Sequence, residues 1–222
     1  MKHGFYDKFL TFLLIILVIA IIGGAGYLGY KYYQKNKLNK DADEFLDNEF
    51  DKYIENIGDY VEDEYDEDDA IREQTGHSGP RGIDTNALTY RGYAVEGKLE
   101  MPPVNLQYPV LEQMTNANEL EVSIAIQYGV GLNKVGNTVL IGHNYRSGLF
   151  FGSNKNMNIG DVIYITDTAT GTRVAYQIYN KYTTEESDTS YYNRNTDGKR
   201  EVSLVTCQSN NKYRLVLLAR EM

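Results

Sequence analysis

The sequence predicts a mainly β domain that extends from about residue 90 to residue 222. Short runs of β-forming residues recur through this region and are separated by turn residues such as Asp197-Gly198. Alternation of side-chain character, typical of half-buried strands, is clearest at 162–165 and 174–179. The chain also contains 20 tyrosines, a residue type that is common in strands. The sequence has neither a βαβ pattern nor a Gly-rich phosphate loop, which excludes the common nucleotide-binding folds.

Seven strands are predicted in this β domain. They cover residues 92–101, 104–111, 137–143, 161–166, 172–182, 201–207 and 213–220. The segments 118–127 and 148–155 are predicted to form single helical turns between strands. Seven or eight short strands in a domain of this length are typical of a closed β-barrel or a β-sandwich.

Residues 9–30 predict a transmembrane helix, which follows a short tail at 1–8. These 22 consecutive positions carry no charge, and a helix of that length spans the roughly 30 Å hydrocarbon core of a bilayer. A cleaved signal peptide is the alternative, but its apolar region is only about 7–15 residues long, so we predict an uncleaved single-pass anchor. Four lysines follow the span and two precede it, and this count alone would place the following domain in the cytoplasm.

Residues 31–87 are predicted to form an acidic helical stalk and a linker. Between residues 41 and 69, 15 of 29 positions are Asp or Glu. Apolar residues nevertheless recur at helical spacing, which predicts an amphipathic helix over 41–61; they are Leu46, Phe50, Tyr53, Ile57 and Tyr60. This helix would be a stalk, a helix docked on the β domain, or a solvated spacer. Residues 61–69 are predicted to be disordered, and the linker at 70–87 contains His77.

Charge and cysteine content exclude several classes of protein. The net charge of -9 argues against nucleic acid as a partner, because phosphate binding requires clustered Lys and Arg. The single cysteine rules out an internal disulfide framework. The many carboxylates do not show EF-hand spacing, and we expect neither a cofactor nor a bound metal ion.

Three chemically active side chains lie at the ends of predicted strands, namely His143, Cys207 and Arg214. Strand ends are places where a rigid scaffold presents reactive groups. A free thiol is only a few per cent thiolate at pH 7, so Cys207 needs a nearby base or cation to act as a nucleophile. His143 is the candidate acid and base, and Arg214 is the candidate donor to an oxyanion or a peptide carbonyl. The alternatives are a buried apolar cysteine, a structural histidine and an arginine in a salt bridge.

These residues lie in motifs that resemble those of sortases. Residues 203–207, SLVTC, are similar to the TLxTC signature of that family, with Ser in place of the first Thr. Residues 141–144, IGHN, resemble its histidine motif, and residues 214–219, RLVLLA, resemble its R-L-V-V segment. The order of histidine, cysteine and arginine also matches, as does a membrane anchor ahead of the domain. The resemblance covers roughly residues 90–222.

The resemblance implies an eight-stranded sortase-like β-barrel with short helices over 88–222, and a transpeptidase on the surface of a Gram-positive cell. It implies that Cys207 cleaves a C-terminal sorting signal such as LPxTG between Thr and Gly and forms a thioacyl enzyme. His143 would be the general acid and then the base, and Arg214 would orient the substrate and stabilise the oxyanion. The implied partners are surface proteins that carry the signal and an amine acceptor of the cell wall or a pilin. On this basis we expect the catalytic domain outside the cell, against the lysine count.

The sortase subclass stays open. None of the four prolines follows an aspartate, so the Asp-Pro-aromatic lid of many pilus-building sortases is not expected. The segment between the strands that end near residue 182 and begin near residue 201 is short for the helical insertion of haem-protein-anchoring sortases. Two other classes compete with this interpretation. One is a membrane-anchored β domain that binds a surface partner without catalysis, and the other is a hydrolytic cysteine peptidase.

Overall fold

The computed structural model describes residues 3–63, 87–208 and 211–222. The chain divides into two compact units, Met1–Lys40 and Asp41–Met222. Helix α1 (His3–Phe45) forms the described part of the first unit and ends within the second. The stretch from Lys8 to Ile57 includes a helix that is long and apolar enough, by length and composition, to cross a membrane. Of the residues predicted to be disordered, 61–63 instead form the end of a helix, whereas 64–69 and the linker with His77 lie outside the described residues.

The second unit is built around a closed β-barrel. Its strands are β1 (Thr89–Tyr90), β2 (Tyr93–Met101), β3 (Leu106–Gln113), β4 (Ile124–Gly129), β5 (Gly136–Ile141), β6 (Val162–Asp167), β7 (Arg173–Glu185), β8 (Arg200–Gln208) and β9 (Tyr213–Glu221). The strand order is β1-β2-β3-β4-β5-β8-β9-β7-β6, and pairing between β2 and β6 closes the ring. The ring contains eight strands, which confirms the eight-stranded barrel that the resemblance implies. Short β1 pairs with β2 outside the ring.

Two of the neighbouring strand pairs are parallel, and one of them sets up the candidate site. Strands β3 and β4 run parallel, as do β5 and β8, whereas the other pairs in the ring are antiparallel. Because β5 and β8 run in the same direction, their carboxyl ends meet at one end of the barrel. The amino end of β9 lies there as well, since β9 is antiparallel to β8.

Strand β8 is buried along both of its faces. A segment between β7 and β8 covers the face that carries Val205, because Tyr191 from this segment packs into a cluster with Val205 and three neighbours, Val139, Val216 and Leu218. The amide of Asn137 donates to the carbonyls of Tyr191 and Tyr192, at 2.8 and 3.0 Å. The barrel therefore has a covering layer directly before the strand end that carries the cysteine.

A buried carboxylate also anchors the covering segment. Glu201 on β8 forms ion pairs with Arg194 of the segment and with Arg220 of β9. Tyr179 on β7 donates to the same carboxylate at 2.9 Å. Two cations and a phenol satisfy this charge, as burial of a carboxylate requires. The segment is thereby fixed to three adjacent strands.

The helical turn predicted at 118–127 is only partly correct. A 3-10 segment (Ala117–Glu121) is present, capped by Asn116, but the chain then forms β4. The first three residues of β4, Ile124 to Ile126, are all buried. They lack the alternation that marks a half-buried strand, and a short continuous apolar run does not distinguish a strand from a helix. The other predicted turn, at 148–155, contains a 3-10 segment (Phe151–Asn156).

The first part of the acidic segment is docked on the barrel rather than extended as a stalk. Helix α1 passes through a π-helical turn (Leu46–Phe50) into α2 (Asp51–Asp63). Four apolar side chains near this turn are buried, namely Ala42, Phe45, Leu46 and Phe50. Carboxylates beside them reach the barrel, since Asp41 pairs with Arg91 at 2.6 Å and Asp51 with Lys98 at 2.8 Å. Phe45 also lies against Tyr90, with 4.8 Å between ring centroids.

We expect Phe50→Ala to destabilise the barrel, because Phe50 is fully buried between the acidic segment and the sheet. Removing a buried phenylalanine side chain costs about 3–5 kcal/mol when the surrounding structure does not collapse. Urea unfolding of the full chain in detergent micelles, followed by near-ultraviolet circular dichroism, measures this change. Ile159→Ala is the matched control, because that side chain is 63% exposed. An unfolding free energy for Phe50→Ala equal to that of the control would contradict docking.

Candidate active site

The register of β5 and β8 places His143 and Cys207 side by side. Ile141 is paired with Val205, and the histidine and the cysteine each follow two residues later. Strand β5 ends at Ile141, but the N–H of Gly142 still donates to the carbonyl of Val205 at 3.3 Å, so His143 and Cys207 follow their paired strands at the same end of the barrel. The side-chain amide of Asn144 donates to the carbonyl of Cys207 at 2.7 Å, which holds the two chain segments together beyond the last paired residues.

Gly142 allows the backbone before His143 to approach the barrel closely. A Cβ atom at this position would lie 2.8 Å from Cγ2 of Ile124 and 3.1 Å from Cδ2 of Phe151. The hydroxyl of Thr206 donates to the carbonyl of Gly142 at 2.7 Å. A larger residue at 142 would move the backbone that carries the imidazole, so glycine is required here by space rather than by an unusual φ.

Arg214 lies directly opposite Cys207 in the antiparallel pair of β8 and β9. Cβ atoms of directly opposed residues are about 4.5–5.5 Å apart, so the side chains of Arg214 and Cys207 leave the sheet side by side on one face. The Nη2 atom of Arg214 donates to Oε1 of Glu186 at 2.6 Å. Its Nη1 atom donates to the carbonyls of Asn211 and Tyr213, at 2.9 and 3.2 Å. The guanidinium is therefore held in a fixed orientation, with 14% of the side chain exposed.

A carboxylate and a phenol accompany His143. The Nε2 atom of His143 lies 3.1 Å from Oε1 of Glu121, the last residue of the 3-10 segment before β4. The hydroxyl of Tyr145 donates to the other oxygen of Glu121 at 2.7 Å. The rings of His143 and Tyr145 lie 5.2 Å apart at 57°, and Tyr145 also contacts Phe150. The imidazole is thus bounded on one side by an aromatic ring and on another by a carboxylate.

The environment keeps Tyr145 in its neutral form. Burial raises the pKa of Tyr145 to about 12, and the hydrogen bond to Glu121 and the negative charge of that carboxylate act in the same direction. The phenol is therefore a hydrogen-bond donor at neutral pH. Its donation fixes one oxygen of Glu121.

The structure brings all three predicted site residues to one end of the barrel. Cys207 is a free, partly exposed thiol. Within residues 3–63, 87–208 and 211–222, no group of three or more His, Cys, Asp or Glu side chains is arranged to hold a metal ion. The contacts made by Glu121 and Glu186 were not predicted. Both belong to polar stretches far from His143 and Arg214 in sequence, and no local pattern distinguishes them from other surface carboxylates.

Comparison with known families decides the identity of the domain. The family model described as the sortase domain matches residues 99–222, which is more than half of the chain. The chain belongs to the sortase family. The matched region includes every strand of the ring except the first part of β2, and it contains His143, Cys207 and Arg214.

Individual relatives of this sortase are distant. Sortase A of Bacillus anthracis is 29% identical over 116 residues, and the match covers 52% of this chain and 53% of the relative. The chain therefore spans about half the length of that curated relative. Sortase A of Corynebacterium diphtheriae has a similar fold, with a TM-score of 0.53 and 22% identity over 59% of this chain and 61% of the other. The sortase D5 transpeptidase of Clostridium perfringens gives a TM-score of 0.52 and 22% identity over 58% and 79%.

Proposed function

We propose that this sortase is a membrane-anchored cysteine transpeptidase. The observation that carries the proposal is the convergence of His143, Cys207 and Arg214 at one end of a sortase barrel. The nucleophile, the acid and base, and the cation come from three adjacent chain segments that the register holds in fixed relation. Such convergence is what acyl transfer by a thiol requires.

In the first half of the reaction, the thiolate of Cys207 attacks the carbonyl carbon of the scissile peptide bond. A carbon–sulfur bond forms and the carbonyl oxygen becomes an oxyanion. When the tetrahedral intermediate collapses, the carbon–nitrogen bond breaks and the imidazolium of His143 protonates the leaving amine. The products are a free carboxyl-terminal fragment with a new amino group, and a thioester that joins the amino-terminal part of the substrate to Cys207.

In the second half, an acceptor amine attacks the thioester carbonyl. His143, now neutral, takes a proton from the attacking nitrogen, and the thiolate leaves as the new amide bond forms. The sum of the two steps exchanges one amide for another and consumes no water. The reaction needs no external source of free energy, because the bond formed is an amide, like the bond broken.

The fixed guanidinium of Arg214 is suited to the oxyanion of both tetrahedral intermediates. In the described part of the chain, its Nη1 protons are engaged by backbone carbonyls and one Nη2 proton by Glu186, while Nε donates to no described partner. A guanidinium has five donors, so it can keep these contacts and still bind a substrate oxygen. A preorganised donor of this kind costs no reorganisation when charge develops.

The substrate of this proposal is a surface protein with a C-terminal LPxTG-like sorting signal, cut between Thr and Gly. The acceptor is an amine of a cell-wall precursor or a pilin lysine. The apolar helix at the amino terminus is long enough to anchor the enzyme, and the proposed topology is a single pass in the cell membrane with the barrel outside. Membrane anchoring would keep the enzyme beside substrates that are themselves held at the cell surface.

The test is incubation of the full chain, in detergent micelles, with a library of sorting-signal peptides and an amine such as triglycine, analysed by mass spectrometry. We expect cleavage within the motif, a thioester adduct on Cys207 and an amine-dependent ligated product. Hydrolysed product at the same rate with and without the amine would identify a cysteine peptidase. Absence of any adduct with every peptide would favour the non-catalytic binding domain.

A further inference from the structure

We propose that Glu121 is a positioning residue that makes Nδ1 of His143 the nitrogen that carries protons during transpeptidation. The inference rests on the proposed function and deepens it, because it assigns the working atom of the acid and base. The geometry points to this assignment through the contact of Nε2 with Oε1 of Glu121, at 3.1 Å.

The chemistry of a carboxylate fixes which imidazole nitrogen holds a permanent proton. An ionised carboxylate only accepts hydrogen bonds, so Nε2 must donate to Glu121 in the neutral imidazole as well as in the imidazolium. Nδ1 is then the nitrogen that gains and loses a proton. The same reasoning determines the histidine tautomer wherever one ring nitrogen faces a carboxylate.

Tyr145 holds Glu121 in the orientation that this role needs. An exposed carboxylate normally samples several orientations, and 65% of the Glu121 side chain is accessible to solvent. The hydroxyl of Tyr145 binds Oε2 at 2.7 Å, which leaves Oε1 directed at the imidazole. The ring of Tyr145 lies against that of His143 and restricts its rotation. Carboxylate, phenol and imidazole therefore form one connected unit.

Glu121 contacts Nε2, which leaves Nδ1 for the proton transfer of the first half-reaction. A proton moves from Sγ of Cys207 to Nδ1, giving a thiolate and an imidazolium, and it leaves Nδ1 for the departing amine. Glu121 faces the imidazolium from the Nε2 side, whereas Arg214 lies opposite Cys207, with its own charge partly balanced by Glu186. Each charge of the ion pair thus has an oppositely charged neighbour.

The tautomer is tested without any substrate. The full chain, labelled with 15N-histidine and held in detergent micelles, contains three histidines, and a His143→Gln variant assigns the signals of His143. We expect the 15N shifts of the neutral ring to show a protonated Nε2 and an unprotonated Nδ1. A protonated Nδ1 in the wild-type protein would overturn the proposal, whether or not any sorting peptide is cleaved.

The kinetic consequence is tested with Glu121→Gln, which keeps a hydrogen-bond acceptor and loses the charge. We expect kcat to fall about threefold to tenfold, a modest factor because the pair is partly exposed, with KM unchanged within about twofold. Tyr145→Phe should lower kcat about twofold to threefold, because it removes only the hydrogen bond that restrains Oε2 of Glu121.

Glu112→Gln is the matched control, because Glu112 is an exposed carboxylate on β3 and the substitution changes net charge equally. A kcat for Glu121→Gln equal to that of this control would contradict the positioning role. A second variant tests whether Glu121 acts through the imidazole. In a His143→Ala background, Glu121→Gln should cause no further loss, and full additivity would also contradict the proposal.

Discussion

Cys207→Ala is expected to abolish both thioester formation and amine transfer while leaving the barrel folded. Cys207 is the only cysteine in the chain, so no other thiol can replace it as nucleophile. Loss of the nucleophile in a covalent mechanism lowers the rate by at least about 10³-fold. The side chain is partly exposed at a strand end, and its removal should change the free energy of unfolding by less than about 1 kcal/mol.

Mass spectrometry of the enzyme after incubation with a cleaved sorting peptide measures the thioester, and amine-dependent product measures transfer. Circular dichroism and a urea unfolding curve show whether the variant is folded. Iodoacetamide gives an independent readout, because the wild-type chain should take up one carbamidomethyl group and the variant none. Transfer at the wild-type rate by a folded Cys207→Ala protein would end the proposed mechanism.

The sequence was sufficient to place three candidate residues at or near strand ends, because the apolar pattern of each of these strands is clear. Cys207 and Arg214 flank a short polar turn, so their opposition follows from a simple antiparallel hairpin. The position of His143 is harder to predict, because β5 pairs in parallel with β8 and two other strands lie between them in the sequence. Its placement beside Cys207 came from the family resemblance, and the register of the structure supplies the physical reason.

The partners of these residues could not be predicted in the same way. Glu121 reaches His143 because β4 lies beside β5 in the barrel, and β4 itself was assigned to a helical turn. Glu186 reaches Arg214 because β7 extends past the end predicted for it and pairs with β9 as far as Tyr213. Both contacts depend on long-range strand pairing, which the local pattern of one sequence does not determine.

For the acidic segment, the sequence predicts the helix but not the surface on which the helix packs. Its apolar stripe predicts a helix, and the helix is present. The surface that receives the stripe is formed from residues scattered over β1, β2 and the turn between them, including Tyr90, Arg91 and Lys98. No property of those residues in sequence marks them as complementary to Asp41 and Asp51, so docking and an extended stalk were equally compatible with the pattern.

Arg214→Lys is expected to lower kcat about 10²-fold to 10³-fold although the positive charge is retained. The guanidinium is oriented by Glu186 through Nη2 and by the carbonyls of Asn211 and Tyr213 through Nη1. A lysine ammonium is a point charge without the planar fork, and it cannot keep both contacts while also binding a substrate oxygen. Loss of one oxyanion donor costs a factor of this size in other acyl-transfer enzymes.

Arg214→Ala should be at least as slow as Arg214→Lys, because it removes the charge as well as the fork. Arg146→Lys is the matched control, since Arg146 is an exposed arginine near the site and the substitution makes the same chemical change. Glu186→Gln removes the charge of residue 186 but keeps an acceptor that can orient Nη2 of Arg214. We expect it to lower kcat less than about tenfold. The measurements are kcat and KM for a cleaved sorting peptide in folded proteins. Activity of Arg214→Lys equal to that of the Arg146→Lys control would reduce Arg214 to a general electrostatic role, because a fork that can be lost without effect does not hold the oxyanion.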